Sequence, residues 1–455
     1  MKPNKRQLPQ TLKGFRDFLP AEKRKRDFVL EKIKETFELF GFEPLETPTL
    51  EYASVLLGKY GNEADKLMYT FQDRGERQVG LRYDQTVPTA RVLAQYQGKL
   101  PKFFRRYQIQ NVFRADKPQK GRYREFTQCD IDIFGSKSLI SDAEILACTY
   151  FTYKNIGFPD IKVKINSRKD LRERSHVFDT YPMENLEGEI SIDIWNKKVN
   201  SFFQSLDKIE KIGKERVTKE LREKGFKEYE IEVMNTLLRQ QSNEYMTNEL
   251  REIIRFAKDL GVPEDIFIYS PLMTRGLDYY TGMIFEVSIS ELSSSVGGGG
   301  RFDNLIKNLG GPDTPAVGMA FGFDRTVEAA DQLNLIRQKN SSSKVFVAIF
   351  EETTKKSLDT IRNLRENNIP SELSTSIQKP ISDENLINII EKKRNKEKTF
   401  KELLQAQLKL ANDKQIPYVI IIGPEETAKD MVTLKDMNAK TQETLTLDEV
   451  IAKLK

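Results

Sequence analysis

Between residues 274 and 282 the chain reads TRGLDYYTG, which gathers Arg275, Asp278, Tyr279 and Tyr280 between Gly276 and Gly282. An arginine supplies a permanent positive charge on a fork of N–H donors, and a phenol supplies a hydroxyl that donates or accepts. Histidine count narrows what such a cluster can do. The chain has one histidine, His176, set in the charged segment RERSHVFDT with no nearby constellation. A Ser/His/Asp triad, a Cys/His pair or a His-ligated zinc would each need that single residue to act, whereas a solvated or capping histidine fits its surroundings. The chemistry therefore rests on arginines, carboxylates, tyrosines and backbone groups. Those suit charge stabilisation of phosphates better than proton shuttling near neutral pH.

The richest stretch is RRYQIQNVFRADKPQKGRYREFTQCDIDIFG, residues 105–135. Tyr107 and Ile109 alternate with Arg106, Gln108 and Gln110, and Cys129, Ile131 and Ile133 alternate with Gln128, Asp130 and Asp132, so both ends are predicted strands. Pro118 and Gly121 mark a turn between them, giving an antiparallel hairpin whose loop carries Arg114, Lys117, Lys120, Arg122 and Arg124. On the returning strand, period two puts Phe126, Gln128, Asp130 and Asp132 on one face. That is a poor core face and a good pocket wall. A solvated hairpin with a basic tip is the plain alternative for the charge run alone; the adjoining ring and carboxylates favour a site for a phosphorylated ligand.

Two glycine-bearing stretches follow. VGGGGRFDNL, residues 296–305, lacks the lysine and serine or threonine of a phosphate-binding P-loop, so close backbone approach beside a ligand is the better reading of Gly297 to Gly300. TPAVGMAFGFDRTVEAA sets Gly318 and Gly322 before Asp324 and Arg325 where a strand runs into a helix. Arg325 there either faces a nucleotide or caps the element.

The elements that must hold these residues are legible from periodicity. Leu30, Ile33, Phe37 and Phe40 recur at helical spacing over residues 21–40, with Gly41 as a stop. Thr86 as cap and Pro88 in the first turn predict a helix start just after LRYDQT, with Val92, Leu93 and Tyr96 as its buried stripe. Residues 166–260 are lysine- and glutamate-rich with helical periodicity and read as an inserted helical subdomain. NLIRQKNSSS suggests a linker over 333–343. The apolar runs VFVAIF and YVIIIG, with helices between and Leu358, Ile361 and Leu364 on one helix side, predict a small α/β domain over 344–455 with a mainly parallel sheet. The EKKRNKEK run, residues 391–398, reads as a solvated helix end, with nucleic-acid contact as the minority reading.

Composition sets the outer bounds. A chain of 455 residues with 38% hydrophobic and 31% charged side chains can build two or three domains with real cores. Two cysteines, Cys129 and Cys148, make no disulfide framework or metal spacing, which fits a reducing cytosol. The N-terminus lacks the apolar run of a signal peptide, and no stretch approaches the roughly 20 apolar residues that span a bilayer. The expectation is a cytoplasmic protein without membrane contact. A net charge of +5 permits a nucleic-acid partner without arguing for one.

FRADKPQKGRYREFTQCDIDIFG resembles the second signature motif of class II aminoacyl-tRNA synthetases in the form used by the histidyl-tRNA synthetase family, and TRGLDYYTG resembles that family's histidine-binding motif. LKGFRDFLP, LRYDQTVPTAR, GGGGRFDNL and AVGMAFGFDR, the last as the third class II motif, agree in order. The first class II motif falls at EPLETPTLEY. Phe302 stands where the family often has tyrosine, and Asp84 matches one of the family's two branches. The resemblance implies an α/β (α+β) architecture: an antiparallel catalytic sheet of six or seven strands from residues 1–165 and 261–332, a helical insertion, and a C-terminal anticodon-binding-like domain. It also implies a homodimer that uses ATP with Mg2+ to activate L-histidine as an adenylate and transfer it to histidine tRNA.

Carried over by position, Arg114 contacts the α-phosphate and the substrate carboxylate, Arg122 the γ-phosphate, Arg325 the triphosphate, and Phe126 stacks on adenine. Asp84 and Thr86, with Gln128, hold the α-amino group, and Gln85 is counted with them among the histidine-binding residues. Arg275 assists at the reacting phosphate. Asp132 and Tyr280 read the imidazole, while Tyr279 either shapes that pocket or packs in the strand. No metal ligand is assigned. The nucleophile of activation is the amino acid's own carboxylate, ionised above a reference pKa of about 3.3 to 3.7, so no general base is required. Two rival readings are a synthetase-like regulator without catalysis and a basic tRNA-binding scaffold. The first tends to lose motif arginines and the C-terminal domain, and the second leaves the wall from Phe126 to Asp132 unexplained.

Overall fold

The computed structural model describes residues 8–59, 65–118, 121–174, 198–199, 201–206, 208–274, 279–289, 295–337, 340–375 and 389–455. The chain divides into two compact units, residues 1–337 and 338–455. Lys120 of the hairpin loop, His176 and the Arg275 to Asp278 part of TRGLDYYTG lie outside the described residues.

Eleven described strands belong to the first unit: β1 (Glu43–Pro44), β2 (Leu50–Tyr52), β3 (Thr70–Gln72), β4 (Gln78–Leu81), β5 (Phe104–Phe113), β6 (Glu125–Phe134), β7 (Ile161–Ser167), β8 (Phe267–Tyr269), β9 (Met283–Ile289), β10 (Gly297–Arg301) and β11 (Ala316–Gly322). Eight form one sheet in the order β1-β5-β6-β11-β10-β9-β7-β8, and β2, β4 and β3 form a small separate one. The six strands from β5 to β7 in that order are antiparallel, as the resemblance implied. The edge strands β1 and β8 run parallel to their neighbours, which makes the sheet mixed. Strands of two and three residues are too short to announce themselves by alternation.

Period-two alternation gives this sheet two chemically distinct faces. Cys129, Ile131 and Ile133 of β6, Val317, Met319 and Phe321 of β11, and Phe285 and Val287 of β9 enter one core cluster. Helices Pro20–Leu39, Leu139–Ile156, Asn248–Asp259 and Phe323–Gln332 cover that face, contributing Ile33 and Phe37, Ile145 and Leu146, Leu250 and Ile253, and Val327. The intervening residues, Gln128, Asp130 and Asp132 among them, point the other way.

Within residues 166–260, the helices Lys214–Glu223 and Glu228–Arg239 cluster through Val217, Leu221, Ile231, Met234 and Leu237 with Phe202 and Phe203. The Asn248–Asp259 helix differs, because its apolar side belongs to the core of the main sheet. The helix expected after LRYDQT runs Thr86–Gln95. Its start is held by Asp84, whose Oδ1 accepts from the Val87 N–H at 3.1 Å, and not by Thr86. Tyr96 is also corrected: it sits past the last turn, and its side chain is exposed.

In the second unit β12 (Val345–Val347) pairs parallel with β13 (Ser371–Leu373) and β14 (Tyr418–Ile421), and β15 (Val432–Asp436) and β16 (Thr441–Leu445) extend the sheet antiparallel. Two of the three parallel strands, β12 and β14, are the apolar runs; β13 is too short and polar to be read from the sequence, and the β15–β16 hairpin at one edge makes the sheet mixed where a mainly parallel one was expected. Val345 and Val347 pack on one side and Phe346 on the other, which explains the unbroken apolar run: both faces are covered. On the helix Thr354–Glu366 the buried residues are Ser357, Thr360, Ile361 and Leu364, while Leu358 is exposed, a shift of the predicted stripe by one position. Residues 391–398 fall in the helix Ile389–Asp413. No helix among the described residues is long and apolar enough to cross a membrane.

Candidate active site

The polar face of the main sheet is ordered by register. β5 sets Arg106 opposite Asp132, Gln108 opposite Asp130 and Gln110 opposite Gln128. β6 in turn sets Asp132 opposite Gly318, Asp130 opposite Ala320 and Gln128 opposite Gly322 of β11, and Gly318 faces Gly300 of β10. A wall of acids and amides therefore stands beside a floor of small residues. The space over the floor is taken up by side chains from elsewhere: a Cβ at Gly318 would overlap the Asp132 carboxylate, and one at Gly300 would come within 2.9 Å of the Tyr280 ring. Asp132 thus occupies the space over Gly318 and Tyr280 the space over Gly300. Acid and phenol ring therefore stand over paired glycines of neighbouring strands.

Tyr280 is buried, and its ring centroid lies 4.8 Å from that of Tyr279, which in turn packs edge-on against Phe302 at 5.7 Å. Arg301 of the glycine-rich segment is structural, clamped to Asp142, Asp303 and the Ser136 carbonyl.

At the mouth of the hairpin Arg114 donates through Nε to the Tyr83 carbonyl at 3.2 Å, and its guanidinium lies 4.3 Å from the Tyr83 ring centroid and 5.1 Å from that of Phe126. Phe126 is half-buried beside it. Arg122 is half-exposed and pairs with Asp116 at 2.8 Å. Arg325 is exposed on the first turn of the Phe323–Gln332 helix and donates to the Ser295 carbonyl at 2.9 Å. Its neighbour Asp324 is the anchor of that helix, bound by Arg16 at 2.5 Å, Arg26 at 2.6 Å and the Thr127 N–H at 3.1 Å.

Asp84, Gln85 and Thr86 reach the same face from the start of their helix. Asp84 is buried and Gln85 fully so, and the Gln85 amide nitrogen bridges the carbonyls of Gln110 and Gln128 at 2.9 Å each, tying the helix to β5 and β6. Gln128 is buried with its Oε1 without a hydrogen-bond partner.

The electrostatics follow from burial. Desolvation pushes the Asp132 carboxyl up to about 6 despite the opposing pull of Arg106, and pushes Asp130 well above the usual carboxylate range. Desolvation likewise raises the Tyr83 phenol. Among the predicted residues, Asp84, Gln85, Thr86, Gln128, Asp132, Tyr279 and Tyr280 converge around the polar face. Arg114 and Phe126 stand at its hairpin end. Arg122 and Arg325 sit on exposed edges, each with a partner, and Arg275 lies outside the described residues.

Sequence reasoning missed Arg106 and Arg82. Arg106 has no exposed surface and pairs with Asp132. Arg82, also buried, donates to the carbonyls of Asn111 at 2.6 Å and Thr47 at 2.8 Å and to Gln110 Oε1 at 2.9 Å. Alternation makes Arg106 look solvent-facing; aligning the two hairpin strands in antiparallel register brings it opposite Asp132.

Comparison with known proteins now bears on this geometry. A family model described as histidyl-tRNA synthetase matches residues 14–326, and one described as anticodon binding domain matches residues 397–455. The chain belongs to the histidyl-tRNA synthetase family. A histidine–tRNA ligase of Cytophaga hutchinsonii is 34% identical over 98% of this chain and 99% of its own length, and one of Gloeobacter violaceus is 34% identical over 96% of each. A crystal structure of histidyl-tRNA synthetase from a Nostoc species superposes with a TM-score of 0.74 at 25% identity, covering 98% of this chain and 99% of the other. As a member of this family the chain has the motif-bearing face just described on the unit matched by the synthetase model, and its second unit contains the segment matched by the anticodon-binding model.

Proposed function

We propose that the chain ligates L-histidine to histidine tRNA at the expense of ATP, through a histidyl-adenylate, releasing diphosphate and AMP. One observation carries the reading: Asp132 and Tyr280 lie side by side over Gly318 and Gly300, on a face whose hairpin end bears Arg114 and Phe126. Neutral imidazole has one N–H donor and one acceptor, so a carboxylate and a phenol hydroxyl match it. An amino acid lacking that pair leaves buried polar groups unmatched, which is worth roughly 10⁴ or more in discrimination.

In this reading Asp84, Thr86 and Gln128 hold the α-amino group, and Gln85 ties their supports together. Phe126 stacks on adenine, with Arg114 at the α-phosphate and substrate carboxylate, Arg122 at the γ-phosphate and Arg325 along the triphosphate. Arg275 assists at the α-phosphate, and Tyr279 backs Tyr280. The histidine carboxylate oxygen attacks the α-phosphorus and diphosphate leaves; the terminal ribose hydroxyl of the tRNA then attacks the acyl carbon and AMP leaves. Neither the first attack nor the departure of diphosphate needs a protein base, because the nucleophile is already ionised. Fixed guanidinium groups aligned on the developing charge supply the acceleration. Mg2+ bound together with ATP would offset the charge of the phosphates, and no residue of this chain is assigned as its ligand.

Residues 1–165 and 261–332 form the catalytic domain in this account, 166–260 the insertion, 333–343 the linker and 344–455 the anticodon-reading domain. The enzyme works in the cytoplasm as a homodimer. Dimerisation is carried by membership of the family, and the exposed side chains of Leu50, Tyr52 and Tyr96 are of the kind that interfaces cover. The whole reading is tested by ATP-dependent transfer of labelled histidine to a histidine-accepting tRNA transcript. Transfer supports it. Histidine binding without transfer or adenylate formation would overturn it in favour of a regulator.

A further inference from the structure

Arg106 sits beneath the pocket wall with no exposed surface, opposite Asp132 in the β5–β6 register. It forms an ion pair with Asp132 Oδ2, while Asp132 Oδ1 leans over Gly318 toward β10 and Tyr280. The two oxygens of one carboxylate are thereby divided between an internal cation and the pocket. Nε, Nη1 and Nη2 of Arg106 make no hydrogen bond and its contact with Asp132 is an ion pair, so the guanidinium is not there to tie the backbone together as Arg82 does.

We propose that Arg106 is a specificity-determining positioning residue, which fixes Asp132 in one orientation and keeps it a carboxylate, so that Oδ1 is presented as an acceptor for the imidazole N–H. The inference rests on the assignment of Asp132 to the imidazole and extends it to a residue that never touches substrate.

The physical reason is the surroundings of Asp132. From β6 comes the second buried acid, Asp130, neither of whose oxygens is hydrogen-bonded. Asp84 adds a third acid from the start of the Thr86–Gln95 helix, the phenol of Tyr280 approaches ahead of β9, and Gly318 of β11 contributes no side chain. Three acids in one desolvated place favour protonation. A protonated Asp132 would offer a donor where the pocket needs an acceptor. Arg106 supplies the opposing charge at closest range, through one guanidinium nitrogen on Oδ2, which leaves Oδ1 for the pocket.

The test measures the Michaelis constants for histidine and ATP in pyrophosphate exchange for Arg106→Leu, Arg106→Lys and, as reference, Asp132→Asn, from pH 6.5 to 9. Arg106→Leu is expected to raise the histidine constant about 100-fold at pH 7 with the ATP constant within about twofold, since it strands a buried charge beside one substrate only. As pH rises to 9 and Asp132 ionises without help, about tenfold should be recovered. Arg106→Lys keeps the charge but carries it on a compact ammonium in place of the broad guanidinium, so it should show about a tenfold rise and a flat pH profile; it carries the test should Arg106→Leu not fold. An unchanged histidine constant in both variants overturns the proposal, as does a rise shared equally by ATP with no pH dependence. If Asp132→Asn is itself silent, the assignment of Asp132 fails; if Asp132→Asn is impaired and the Arg106 variants are not, only the role of Arg106 fails.

Discussion

Arg106 and Asp132 face each other directly across β5 and β6 as a buried ion pair, and on its other side Asp132 leans over the bare Cα of Gly318. Charge, register and a missing side chain together aim one oxygen into the cleft.

Asp132→Asn keeps the shape and removes the charge. The variant should lose histidine affinity by about 10²-fold or more while its ATP constant stays within about twofold, because an amide presents a mixed donor and acceptor to a group that needs an acceptor. Exchange kinetics with each substrate varied in turn measure both values. Equal constants for variant and parent would remove Asp132 from the pocket.

Gly318→Ala places a methyl where the Asp132 carboxylate lies. The carboxylate must move, and the loss is expected in the histidine constant by about tenfold or more, with a melting temperature lowered by only a few degrees, as for overpacking of about 1–3 kcal/mol. A variant with parental histidine kinetics would show that the close approach has no bearing on binding.

Arg114→Ala should reduce the rate of adenylate formation by about 10²–10³-fold, the usual consequence of removing one aligned donor from a developing charge. Phe126→Ala should act differently, weakening ATP binding by about 1–3 kcal/mol of lost stacking. Single-turnover rates and ATP titrations separate the two; the same pattern in both variants would contradict the division of labour at the hairpin end.

Asp130 predicts a pH dependence of stability. Burial raises its folded pKa well above the ordinary carboxylate value, so the folded protein holds this proton more tightly than the unfolded chain. Its favourable contribution is complete below the unfolded value of about 3.9 and is lost as pH rises through the raised folded value. Asp130→Asn, permanently neutral, should therefore gain stability relative to the parent more at pH 8 than at pH 5. Urea midpoints at the two pH values read this directly, and an identical offset at both would contradict it.

Much of the site was legible because its residues are local in sequence. The hairpin, the pocket wall from Phe126 to Asp132, and the strand-to-helix passage into Asp324 and Arg325 all follow from alternation and turn residues. What escaped depends on pairing between distant segments. Gln85 looks like a ligand residue, yet its amide nitrogen is used between the Gln110 and Gln128 carbonyls, a relation that needs three segments in place. Arg106 reads as outward-facing because periodicity distinguishes two faces of a strand without saying which is covered, and here both are; Arg82 follows the short strand β4 and has no local pattern to mark it. Tyr96 and Leu358 were misjudged for a related reason: apolar character at roughly helical spacing does not locate the stripe to better than one position.

The central claim is most directly tested by pyrophosphate exchange into ATP, run with each standard amino acid separately on the full chain. Exchange that depends on histidine and on no other amino acid is the predicted result. Exchange driven by a different amino acid, or by none, would contradict it.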